Sequence, residues 1–283
     1  MQIIKEKAAL QQVISGLKSS GTTIGFVPTM GALHSGHLSL VAQAARKCDH
    51  VVVSIFINPT QFDNPSDLQN YPRTLDSDVA LLEELNLNVL VFAPNAFELY
   101  GDSVTAEHFE YDGLEFEMEG KFRSGHFDGV GTIVKRLFEI VQPDMAFFGE
   151  KDFQQLQIIK KLTKKYNLPV QVIGCPIDRE TNGLARSSRN ERLSAEEREN
   201  AAFIYRTLQT VKEKFGTENA DNISHWVTEE FKSHPFLKLE YFEIANSKTL
   251  KTLNKKLPTA QYRAFIAVYA GEIRLIDNVA LNY

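Results

Sequence analysis

A chain of 283 residues with 43% hydrophobic and 24% charged residues has ordinary globular usage and room for one large domain or two smaller ones. The formal net charge of −5 supplies no basic field, which excludes a bulk nucleic-acid binder but leaves room for a small nucleotide. Two cysteines, Cys48 and Cys175, are too few for a disulfide framework or a thiolate metal cluster, and their apolar surroundings predict small buried side chains.

The start, Met1-Gln-Ile-Ile-Lys-Glu-Lys-Ala, has no long apolar run behind a basic segment, and no window approaches a membrane span. A cytoplasmic protein without a membrane partner is expected. Thr22 to Val27 predicts a strand and Gly36 to Lys47 a helix. Val51 to Asn58 is a nearly continuous apolar run of the kind that parallel sheets bury on both faces. Helices are expected at Leu75 to Leu87, Thr132 to Val141 and Phe153 to Tyr166. They alternate with strands at Val89 to Ala93, Met145 to Phe148 and Val170 to Ile173. This alternation predicts an α/β fold, a Rossmann-like doubly wound parallel sheet with right-handed crossovers. After Pro176 the pattern changes. Ser194 with Glu197 reads as a capping box opening a helix to about Phe215, and a second helix covers about Asp221 to Lys232. Strands are expected at Leu237 to Ala245, Arg263 to Tyr269 and Ile273 to Asp277, the last two joined by a tight turn at Ala270-Gly271. A boundary near residue 176 thus separates 1–176 from a smaller α+β C-terminal domain, 177–283, with antiparallel strands.

Four segments carry chemistry. Phe26 to His37 (FVPTMGALHSGH) leaves a strand and opens a helix. Gly31 and Gly36 let the backbone approach a ligand, and unpaired helix N–H groups favour an anion. His34 and His37 are three apart, so both can face the same phosphates. A zinc site would need a third ligand at a telling spacing, which the sequence does not offer. Gly183 to Asn190 (GLARSSRN) sets two hydroxyls between two guanidinium groups, suited to a polyphosphate or simply to a solvated basic loop. Phe147 to Asp152 (FFGEKD) ends a strand: Lys151 could reach phosphate and Asp152 a ribose, or Asp152 could merely cap a helix. Gln61 and Gln155 are neutral amides that could orient a carboxylate without quenching its charge.

Together, a His-x-Gly-His turn and a basic Ser-Ser loop resemble the two signatures of the nucleotidylyltransferase and class I aminoacyl-tRNA synthetase superfamily. Six blocks in order, PTMGALHSGH (28–37), FINPTQF (56–62), YPRTLDSD (71–78), GKFRSGHFDGV (120–130), FFGEKDFQQL (147–156) and NGLARSSRN (182–190), resemble the pantoate–β-alanine ligase family over essentially the whole chain. The resemblance implies that pantoate and Mg-ATP form pantoyl adenylate and pyrophosphate, and that β-alanine then gives pantothenate and AMP. It implies an ATP site at Met30, Gly31, Ala32, Leu33, His34, Ser35, Gly36 and His37, with Gly149, Glu150, Lys151, Asp152, Asp178, Arg186, Ser187, Ser188 and Arg189. His37, His34, Lys151 and Arg189 are the implied catalytic residues, with His37 as proton donor. Gln61, Gln155 and Arg123 would bind pantoate, Gln61 also β-alanine, and Asp76 and Asp78 would take Mg²⁺. The first domain would bind ATP and pantoate, the second would act as a lid, and a homodimer would form through the first. Asn182, Asp178 and Arg192 depart from the family pattern, and Asp178 would be costly in an apolar adenine pocket. A nucleotidylyltransferase that stops after adenylyl transfer and a non-catalytic nucleotide sensor are the competing readings. The two glutamine segments and the C-terminal domain weigh against the first, and His34, His37 and Lys151 together against the second.

Overall fold

Apolar runs without polar alternation need cover on both faces, and the first unit of the chain supplies it. In the computed structural model, which describes residues 1–281, this unit comprises Met1–Glu150 and Gln155–Pro176. Its strands are β1 (Gln2–Ile4), β2 (Ile24–Thr29), β3 (His50–Ile55), β4 (Val89–Phe92), β5 (Met145–Gly149) and β6 (Gln171–Cys175). All pair in parallel, in the order β1-β4-β3-β2-β5-β6. The helices are α1 (Lys7–Ser19), α2 (Ser35–Ala45), α3 (Pro65–Gln69), α4 (Leu75–Glu83), α5 (Ala96–Tyr100), α6 (Glu119–Phe122), α7 (His126–Val141) and α8 (Phe153–Lys165). Alternate residues of β2 serve opposite faces. Val27 joins a buried cluster with Val41 and Ala44 of α2 and Leu82 of α4. Phe26 instead sets its ring edge-on to Phe138 of α7, 6.1 Å between centroids. The doubly wound sheet expected from the sequence is present.

The strand order reverses at the border of β2 and β5. Ligands of open parallel sheets collect at such a switch point, beyond the carboxyl ends of the strands. Three of the chemistry-bearing segments leave the sheet there, at the ends of the adjacent strands β3, β2 and β5.

Several boundaries differ from expectation for identifiable reasons. Helix α7 begins at His126, six residues before the expected Thr132, because Gly129 and Gly131 disguise its first turns. Both glycines are required by close packing: a Cβ at Gly129 would meet the Thr60 carbonyl oxygen at 2.2 Å, and one at Gly131 the Tyr111 hydroxyl at 1.9 Å. Helix α4 ends at Glu83 rather than Leu87, and Asn86 just beyond it is left-handed, with φ 50°. Strand β1 and helix α1 precede the first element read from the sequence.

The second unit contains Lys151–Gln154 and the described residues from Ile177 onward. Helices α9 (Ala195–Phe215) and α10 (Ala220–Lys232) accompany the antiparallel sheet β7 (Leu237–Asn246), β8 (Tyr262–Ala270) and β9 (Ile273–Ala280). The Ser194–Glu197 capping box is present in both directions. Ile204 and Leu208 of α9 and Val227 and Phe231 of α10 build one core with Ile244, Ile266 and Leu275 of the sheet. The β8–β9 turn is Gly271-Glu272, one residue later than expected, with Gly271 at φ 53° in its first position. Strand β9 runs past Asp277 because Asp277 and Asn278 are buried with polar partners, so their polarity does not end it. Among the described residues no helix is long and apolar enough to cross a membrane.

Candidate active site at the ends of β2, β3 and β5

The turn after β2 is shaped by its backbone. Gly31 and Ala32 are both left-handed, at φ 84° and 50°, and the Ala32 and Leu33 N–H groups donate to Asp78 Oδ2 and Oδ1 at 3.0 and 2.7 Å. His34 then caps α2. Its Nδ1 accepts from the Gly36 N–H at 3.2 Å, while His37 Nδ1 accepts from the His34 N–H at 3.4 Å. Imidazoles thus fill both positions of a capping box usually built from serine and glutamate. The rings lie 4.1 Å apart between centroids. Because each Nδ1 accepts, each neutral ring carries its proton on Nε2, which puts two imidazole N–H groups at a helix N-terminus. Met30 and His34 to His37 share this turn, with Ser35 exposed.

Beyond β3, Asn58 organises the glutamine. Asn58 is 1% exposed; its Nδ2 donates to Gln61 Oε1 at 3.0 Å and to the Gly129 carbonyl at 3.2 Å, and its Oδ1 accepts from the Tyr100 hydroxyl at 2.5 Å. Gln61 Nε2 points at Met30 Sδ, 3.0 Å away, so Gln61 adjoins the histidine turn. His126 Nδ1 donates to the Gln61 carbonyl at 2.8 Å, and Arg123 donates to His126 Nε2 at 3.1 Å and to the same carbonyl at 3.4 Å. Arg123 is thus placed as a brace behind Gln61, with Asp63 and Glu119 also within ion-pair range at 3.7 and 3.8 Å. Asn58, Tyr100 and His126 escaped the residue-by-residue reading. Asn58 and His126 lie inside the quoted blocks, whereas Tyr100 carries no local signal.

At the end of β5, a Cβ on Gly149 would meet nothing within 4 Å, so the strand end borders open space. Glu150 lies against Gly174 of β6; burial, with a smaller contribution from the Glu150 charge, pushes the Cys175 thiol up to about 11. Cys48 is also shifted up by burial, so neither thiol is a ready nucleophile near neutrality. Gln155 is half-buried in the first turn of α8.

Within the second unit, Asn278 Nδ2 donates to the Lys151 carbonyl at 2.9 Å, and its Oδ1 accepts from Arg263. The Arg263 guanidinium lies 4.0 Å over the Phe153 ring. These contacts group residues 151–154 with this unit. Lys151 Nζ is 4.0 Å from Asp152, whose side chain is half exposed. The 183–190 loop rests on ion pairs. Arg179 binds Asp277 through both nitrogens at 2.6 and 2.9 Å, donates to the Gly183 carbonyl at 3.0 Å and stacks 3.8 Å over Tyr205. Arg198 grips Glu180 at 2.9 Å and holds its carboxyl low, helped by Asn190. Asp178 pairs with Arg186 at 3.1 Å, so its charge meets a guanidinium inside the loop rather than an apolar wall. Asn182 accepts from the Leu184 N–H at 3.1 Å and turns the loop. Ser187 caps the short helical turn that carries Ser188 and Arg189.

Asp76 and Asp78 do not fit a Mg²⁺ pair. They stand two apart on α4, a spacing that turns side chains away from each other. Asp76 is exposed, whereas Asp78 is 1% exposed with both oxygens accepting N–H groups. Among the described residues no cluster of His, Cys, Asp and Glu could hold a metal.

Comparison with known proteins agrees with this geometry. The family model for pantoate-beta-alanine ligase matches residues 2–280. A pantothenate synthetase from Christiangramia forsetii is 61% identical, covering 100% of both chains. The crystal structure of pantothenate synthetase from Thermus thermophilus superposes with a TM-score of 0.91 at 38% identity over 100% of both chains. That of a Francisella tularensis pantoate-beta-alanine ligase complexed with beta-gamma ATP and beta-alanine has a TM-score of 0.83 at 36% identity, covering 99% of this chain and 98% of that one. The chain belongs to the pantoate–β-alanine ligase family, whose reaction is the ATP-dependent condensation of pantoate with β-alanine.

Proposed function

We propose that the paired Nε2–H groups of His34 and His37 stabilise adenylyl transfer from ATP to pantoate, and that the same site then passes the acyl group to β-alanine. The observation that carries this reading is the imidazole capping box at the switch point, whose two Nδ1 atoms accept backbone N–H groups and so place the ring protons on Nε2. In the first step a pantoate carboxylate oxygen bonds to the α-phosphorus as the bond to pyrophosphate breaks. Charge grows on the phosphate oxygens, where each preorganised donor contributes about 10²–10³ in rate. In the second step the β-alanine nitrogen attacks the acyl carbon, the carbon–oxygen bond to AMP breaks, and the nitrogen loses its proton. No protein nucleophile is needed, and alignment supplies much of the remainder.

Gln61, with Gln155, is proposed to hold pantoate: an amide fixed by Asn58 can orient a carboxylate while leaving its charge on the attacking oxygen. Gln61 is also the proposed β-alanine contact, with Arg123 acting on the substrate side through Gln61. Met30 to Leu33, Ser35, Gly36, Gly149, Glu150 and Asp152 are the proposed nucleoside and backbone contacts. Lys151, Arg186, Ser187, Ser188 and Arg189 are proposed to hold phosphates, with Asp178 orienting Arg186. ATP is proposed to arrive as its Mg²⁺ complex. A cytoplasmic homodimer completes the proposal; exposed Phe97, Phe116 and Phe122 in the first unit support the pairing, and sedimentation velocity tests it.

The direct experiment is product formation. AMP should appear only when ATP, pantoate and β-alanine are all present, with pyrophosphate released. AMP or pyrophosphate formed at equal rates without pantoate would refute the reading.

A further inference from the structure

We infer that Asp78 is a positioning residue for adenylation, its buried carboxylate setting the backbone from which His34 and His37 project. The inference rests on the adenylation reading above and gives it a second layer.

Three consecutive residues are fitted around this one side chain. Gly31 is left-handed at φ 84°, and a Cβ there would stand only 3.1 Å from Asp78 Oδ2. Ala32, left-handed at φ 50°, gives its N–H to Oδ2, and Leu33 gives its N–H to Oδ1. An alanine enters this region only under constraint from its surroundings. The next residue is the helix cap His34. Thr74 adds a hydroxyl to Oδ1 at 3.3 Å, and the Asp78 N–H donates to the Thr74 carbonyl at 2.8 Å, which fixes the carboxylate at the start of α4.

The bonding pattern also separates this role from metal binding. The two amide N–H groups lie on the oxygens at 3.0 Å or less, as in charge-assisted hydrogen bonds. With the Thr74 hydroxyl they take up most of the acceptor positions of a carboxylate that is only 1% exposed, leaving little of it for a cation. Directing the negative charge at two amides also makes an anion tolerable directly behind a polyphosphate turn. The carboxylate thus acts on ATP through Ala32 and Leu33, without touching it.

The test uses the full chain with Asp78→Asn, which preserves shape but replaces one acceptor oxygen with an NH₂ facing an amide N–H. The KM for ATP, and the ATP dissociation constant measured by calorimetry, should rise about tenfold or more, the loss expected for a charged hydrogen bond. The KM for β-alanine and the Mg²⁺ concentration giving half-maximal activity at saturating ATP should stay within twofold. Thr74→Val removes only the hydroxyl and should raise the KM for ATP in the same direction by about two- to threefold; it decides the question if Asp78→Asn does not fold. Unchanged ATP parameters in the folded variants overturn the inference. So does a shift in the Mg²⁺ midpoint that exceeds the shift in the KM for ATP, the signature of a lost metal ligand. If wild type fails to release pyrophosphate with pantoate while Asp78→Asn still weakens ATP binding, the adenylation reading falls and only the support of an ATP-binding turn by Asp78 stands.

Discussion

The 30–37 turn and the 183–190 loop both end in a short capped helical start, yet they are held by different forces. In the turn, backbone N–H groups bind one buried carboxylate, and the two imidazoles cap the following helix. In the loop, guanidinium and carboxylate side chains hold the path: Arg179 with Asp277, Arg198 with Glu180, and Arg186 with Asp178. A turn whose backbone donors meet one buried carboxylate has no exposed ion pair for salt to screen. In the loop, Arg198–Glu180 and Arg186–Asp178 are partly exposed and weaken with salt, whereas Arg179–Asp277 is largely buried. The turn is thus a fixed element at the switch point, and the proposed phosphate-binding segment is one whose order depends on its ion pairs.

That contrast can be broken most severely at Asp277. Asp277→Ala removes the two-nitrogen partner of Arg179 and leaves a largely buried guanidinium without its counter-charge. It should cost about 3–5 kcal/mol of stability in chemical denaturation, with residues 179–190 losing hydrogen-exchange protection and the 30–37 turn keeping its own. Equal loss in both segments would erase the distinction. Gly129→Ala comes next. Its Cβ would clash with the Thr60 carbonyl at 2.2 Å, and overpacking of this kind costs about 1–3 kcal/mol. Because Gln61 follows Thr60, the KM for pantoate should rise more than that for ATP; an ATP-only defect would contradict the placement of pantoate at Gln61.

A milder probe is pH. Arg198 holds the folded Glu180 carboxyl below its unfolded value, so this pair stabilises the loop above the ordinary carboxylate range and loses that contribution as pH falls through the folded value. Exchange protection in 183–190 should therefore decline as pH falls below the ordinary carboxylate range, and Glu180→Gln should remove that decline. A decline unchanged in Glu180→Gln would mean that Glu180 does not brace the loop. Smallest in stability is Gly149→Ala, whose Cβ meets only open space; the melting temperature should change little while the KM for ATP rises. Unaltered ATP kinetics would remove Gly149 from the nucleotide site.

How much of this was legible in the sequence follows from sequence separation. Strands buried on both faces announce themselves as apolar runs, so β3, β4, β5 and the doubly wound order were readable, as were the segments at their ends. The start of α7 was hidden because Gly129 and Gly131 serve packing against Thr60 and Tyr111, and a helix propensity reading sees only two breakers. The braces of the candidate site were hidden for the same reason. Asp78 binds the turn across 46 residues, Asp277 binds Arg179 across 98, and Asn278 binds Lys151 across 127. No local pattern joins such pairs. Reading Asp76 and Asp78 as a metal pair followed their chemistry but missed that α4 turns one outward and buries the other.

The central claim is that the imidazole pair after β2 performs adenylyl transfer. Exchange of labelled pyrophosphate into ATP, driven by pantoate without β-alanine, isolates that step. Wild type should exchange label only when pantoate is present. His37→Ala, folded and melting near wild type, should lose about 10²–10³ of the rate. A folded His37→Ala protein that exchanges pyrophosphate at the wild-type rate would contradict the account.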